Sequence, residues 1–153
     1  MDAINLRMLI ELAAAARDAA AARRAHAGAA LDAARQQLTL LEGYAAEYER
    51  RGQRTLAVGV DIAAQDNLRA FAGKLQQAIA QQRTEVERRA LVLEQVAGEL
   101  TEAQRKMKSL QALQTRALDT ARSLQGRRDQ KLTDELSQSM LAGRARPLAV
   151  GGW

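Results

Sequence analysis

The sequence predicts an all-α protein: a long antiparallel two-helix coiled-coil hairpin with a flexible C-terminal tail. Three observations carry this. The 153 residues include 33 alanines, 21 leucines and 15 glutamines but one proline, a mixture of strong helix formers. Apolar residues recur at steps of three and four over most of the chain. Between two such runs lies one short stretch marked by Gly52 and Gly59.

The first run, about residues 3–51, steps through Leu6, Leu9, Ala13, Ala16, Ala20, Arg23, Ala27, Ala30, Ala34, Gln37, Leu41, Tyr44 and Tyr48. Its middle is mostly alanine, which lets helices approach closely but gives a weak seam, since a packed Leu contributes a few kcal/mol more than an Ala. The loop is expected over about 52–61. Two glycines relax the backbone there, Thr55, Val58 and Val60 are weak helix formers, and Asp61 suits the N-cap of the next helix.

The second run, about 62–141, passes from Leu68 through Leu75, Ile79, Val86, Leu93, Val96, Leu100, Met107 and Leu110 to Leu124. Only Gln82, Arg89 and Gln114 break its apolar character. A heptad sustained that far is a coiled-coil signature. Ten residues between two long amphipathic helices favour an antiparallel hairpin. The domain then covers 1–142, and folding near residue 57 leaves the end of helix 2 overhanging. Gly143 and Pro147 close that helix, and 143–153 read as the tail.

Charge is unevenly placed. Residues 1–104 carry 13 basic and 14 acidic groups, whereas 105–153 carry 10 basic groups against Asp119, Asp129, Asp134 and Glu135. An acidic partner is therefore expected at the C-terminal third, facing Arg116, Arg122, Arg127, Arg128 and Lys131. No aromatics interleave these bases for stacking, so no specific nucleic-acid partner is expected. The absence of cysteine excludes disulfides and thiol chemistry. His26 is the single histidine, and it has no carboxylate cluster at metal-ligand spacing. Glu85 with Glu87, and Glu99 with Glu102, read as surface charge on solvated helices. No phosphate-binding loop is present. The chain is expected to be neither an enzyme nor a cofactor binder, and to be soluble, cytoplasmic and without membrane insertion.

Three of the four aromatics, Tyr44, Tyr48 and Phe71, flank the break. One narrow seam cannot bury three large rings, so Phe71 and at least one tyrosine are expected to point outward as anchors for a partner.

The stretches "LLEGYAAEYERR", "GVDIAAQDNLRAFAGKLQQAIAQQR" and "QALQTRALDTARSLQGRRDQKLTDELSQ" resemble the flagellar FliJ family, collinearly over about residues 4–140. The resemblance implies the central coiled-coil stalk of a type III export ATPase. In such proteins the end bearing both termini enters the hexameric export ATPase and promotes its activity. The hairpin end contacts the cytoplasmic linker of the export-gate membrane protein and helps recycle export chaperones. The matching gate positions are Gln37, Leu41, Tyr44, Tyr48, Phe71, Leu75, Ala78 and Gln82. The resemblance also implies a peripheral location at the inner face of the cell membrane. Other readings are an injectisome stalk, a phasin-like surface-binding protein, separable by liposome flotation, and an extended coiled-coil dimer, separable by light scattering.

Overall fold

The computed structural model describes residues 2–59 and 61–144. They form α1 (Ala3–Val58) and α2 (Ile62–Arg144), the two arms of a hairpin, with no strand among the described residues. None of the described helices is long and apolar enough to cross a membrane.

The connection is shorter than the glycine content suggests. The expected loop over 52–61 is a correction, because α1 continues through Gly52 to Val58. One glycine inside a helix costs only about 1 kcal/mol, and Arg50, Arg51, Gln53, Arg54 and Leu56 around Gly52 are good helix formers. The Thr55 hydroxyl donates to the Arg51 carbonyl at 2.7 Å, which removes its conflict with the helix. Reversal needs left-handed backbone. Gly59 supplies it, at φ +76°, the one positive φ among the described residues. Asp61 occupies the capping position as expected, its backbone carbonyl accepting from the N–H groups of Ala64 (3.1 Å) and Gln65 (3.2 Å). At the far end α2 runs through Gly143 to Arg144. The tail expected from 143 onward otherwise falls on 145–153, outside the described residues.

The chain divides into two compact units, residues 12–106 and residues 1–11 with 107–153. In the larger unit the core is built mainly of alanine: Ala13, Ala20, Ala27, Leu31 and Ala34 of α1 are buried, with Leu75 and Ile79 of α2. So thin a seam leaves the α1 backbone reachable, and α2 exploits this with two polar pins. Gln82 Nε2 donates to the Ala34 carbonyl at 2.9 Å, and Arg89 Nη1 donates to the Ala30 carbonyl at 2.7 Å. A helical carbonyl keeps a second lone pair for such a bond. A neutral bond of this kind contributes about 1 kcal/mol and a charged one about 1.5–3. Arg83–Glu42 at 3.2 Å and Arg23–Glu99 at 3.7 Å join the arms at the surface. Exposed pairs of this sort add at most about 1 kcal/mol each.

The α2 heptad holds as read from Leu75 to Met107, every member being buried or half-buried, although Ala72 is exposed. The α1 heptad needs a change of phase. Leu6, Ala13, Ala20, Ala27, Ala34, Leu41 and Tyr48 face the seam, but Leu9, Ala16, Gln37 and Tyr44 do not. Their places are taken one residue later by Ile10, Arg17, Leu38 and Ala45, and Leu31 is covered more deeply than Ala30. At two positions the shift buries a larger apolar side chain, with Leu31 taking precedence over Ala30 and Leu38 over the polar Gln37.

In the smaller unit Leu6 is buried, and Met107, Leu110 and Gln114 are half-buried. From Thr115 to Arg144 every residue is exposed. Leu124, the last member of the α2 heptad, is therefore uncovered: the nine residues of α1 in this unit reach no further along α2.

Candidate functional site

Two surfaces carry the features expected of docking sites. The first is the turn-proximal part of the larger unit. Tyr48 on α1 and Phe71 on α2 stack across the seam with ring centroids 4.4 Å apart and an interplanar angle of 29°. Arg51 lies 5.8 Å from the Tyr48 ring centre, one turn further on. With Tyr48 opposite Phe71 and Ala34 opposite Gln82, the same register sets Tyr44 near Leu75 and Leu41 near Ala78. All eight positions named for gate binding thus fall on one stretch of the hairpin.

They do not have one role. Leu75 is buried, and the Gln82 amide is committed to Ala34. Leu41, Tyr48 and Ala78 are half-buried. Gln37, Tyr44 and Phe71 are exposed, the two rings at 54% and 44%. Phe71 and one tyrosine point outward, as expected, but the tyrosine is Tyr44, while Tyr48 serves as the shelf under Phe71. The register places Tyr44 near Leu75, because the chain reverses at Gly59 and not near residue 57. An open hollow beside the stack is lined by Tyr48, Glu49, Gly52, Leu68, Ala72 and Leu75 among others.

Sequence reasoning missed the tip. Leu56, Val58 and Ile62 are strongly exposed on either side of Gly59. Placing 52–61 in a loop hid the signal, since large apolar residues flanking a tight turn have little to pack against.

The second surface is α2 from Thr115 to Arg144 in the smaller unit, about 45 Å of helix at 1.5 Å per residue. At about 100° per residue, Arg116, Arg127 and Lys131 fall within about 60° of one another. Leu118, Leu132, Leu136 and Met140 fall on the opposite side, all at least half exposed. Arg128 flanks the basic face, and Arg122 lies nearer the apolar stripe. The expected basic set is therefore not one cluster. Gln125 donates to Asp129 at 3.1 Å and Gln130 to Asp134 at 3.2 Å, so two of the four acids on this stretch are engaged locally.

No group of three His, Cys, Asp or Glu among the described residues could hold a metal ion. The grooves are open troughs along two helices.

A family model described as "Flagellar FliJ protein" matches residues 1–146. Comparison with curated proteins and with solved structures found no match.

Proposed function

The chain belongs to the flagellar FliJ protein family, a non-catalytic component of flagellar protein export, and on that premise we propose that it is the stalk of the export ATPase. Residues 115–144 and the first turns of α1 enter the central opening of the hexamer and promote ATP hydrolysis. The exposed turn-proximal surface, centred on Tyr44 and Phe71, meets the cytoplasmic linker of the export-gate membrane protein and hands over export chaperones. The protein works in the cytoplasm, held at the inner face of the membrane by these partners.

The observation that carries this reading is the uncovered state of α2 from Thr115 to Arg144. In proteins most helical stability comes from the packing of an amphipathic face, and this stretch has none packed within the chain. A leucine stripe backed by bases is the profile of a segment completed by another protein. Phe71 and Tyr44 have the same character at the other surface, as exposed rings seated beside a packed seam.

The test is co-purification with a flagellar export ATPase, reading hydrolysis with and without the chain. Complex formation with faster hydrolysis is expected. An unchanged rate with no complex would overturn the stalk reading.

A further inference from the structure

Midway along the larger unit an open trough of about 650 Å³ runs between α1 and α2. Its floor is Ala22, Ala27 and Ala30 from α1, with Val92 and Val96 from α2. The trough exists because alanine side chains are too short to fill the space that leucine occupies in an ordinary seam. Val92 remains 41% exposed within it.

The rim has one sign. The polar side chains lining the trough are Arg23, His26, Arg88 and Arg89, and no carboxylate lines it. Glu85, just outside, is shared between two guanidiniums. Arg88 grips both its oxygens, at 2.6 and 2.9 Å, and Arg89 Nε reaches one at 2.7 Å. One carboxylate against two cations leaves a positive charge at this edge. Across the trough Arg23 holds Glu99 only loosely, at 3.7 Å.

We propose that this trough seats a third helix: an amphipathic segment of a partner protein bearing about two turns of apolar stripe flanked by carboxylates. Residues 22–30 span about 12 Å along α1, which matches two helical turns. The alanine floor permits a close approach of helix axes, at the short end of the usual 8–10 Å. The basic rim selects acidic flanks over basic ones, since charge at an interface rim sets partner choice and encounter rate.

The test uses the full chain and a fluorescent synthetic helical peptide with leucines at i, i+4 and i+7 flanked by glutamates, beside a twin with lysines in place of the glutamates. Anisotropy titration is expected to show the glutamate peptide binding at least ~10-fold more tightly than its twin. Val92→Asp and Arg88→Gln, both at exposed positions, should each weaken binding several-fold with unchanged circular dichroism. A Leu132→Asp/Leu136→Asp chain should bind as the parent does. Equal affinity for the two peptides, insensitivity to Val92→Asp, or loss of binding in the Leu132/Leu136 chain would overturn the proposal. Self-association of the chain abolished by Val92→Asp would also overturn it, assigning the trough to a second copy.

Discussion

Removing the Phe71 ring separates the two jobs assigned to it. Its side chain is 44% exposed, and one face lies on Tyr48 at 4.4 Å. A fully buried Phe→Ala change costs about 3–5 kcal/mol, so with roughly half the side chain covered Phe71→Ala should cost about 1.5–2.5 kcal/mol. Part of this belongs to the ring pair. A double-mutant cycle of Phe71→Leu and Tyr48→Leu should yield a coupling of about 0.5–1.5 kcal/mol, the usual value of an offset aromatic pair. Urea unfolding followed by circular dichroism at 222 nm reads both quantities. Phe71→Leu keeps an apolar side chain in the seam, so it is the variant for function: export ATPase stimulation should survive, and docking to the gate linker should weaken. A coupling near zero would refute the stacked arrangement. Undiminished docking by Phe71→Leu and Phe71→Ala alike would make the aromatic pair structural only.

Charge reversal at Arg127 and Arg128 should reduce ATPase binding with helicity unchanged, as measured by pull-down and circular dichroism; intact binding would remove these bases from the interface. Gly52→Ala should raise the melting temperature, by a stabilisation of about 0.5–1 kcal/mol, because the position is helical and an added Cβ meets no atom within 4 Å. Gly59→Ala should lower it, since φ +76° strains any residue with a Cβ. The Glu85 carboxyl is held down at about 2 from the usual 4.5, first by the hydrogen bond from Arg88 and then by that from Arg89. Its folded-state pKa is depressed, so its contribution is fully present above about pH 4.5 and is lost as the pH falls towards 2. Thermal melts of the parent and Glu85→Gln chains should converge over that window and differ above it.

That some ring must point outward follows from sequence alone, because a two-helix seam has too little width for three rings; that Tyr44 and Phe71 are the exposed ones is decided by the packing. The helical class and the α2 stripe were equally legible: large apolar residues alternate there with charge, so only one face can be the seam. Residues 111–138 also carried much of the family resemblance, and the family match covers 1–146. On α1 the contrast fails. Alanine occupies nearly every face of residues 13–34, so the phase is set by which neighbours bury more area against α2, and Leu31 and Leu38 prevail over Ala30 and Gln37. The length of the turn was hidden for a related reason. Gly52 permits a loop without requiring one, and strong helix formers on both sides carry the helix across it. Which tyrosine supports Phe71, and where the α2 seam ends, are facts about the opposite arm. Tyr48 lies under Phe71 because the chain reverses at Gly59. The overhang of α2 was legible too, but its heptad runs on past Thr115 with no chemical mark of the point where α1 stops covering it, so the packed structure decides where the uncovered helix begins.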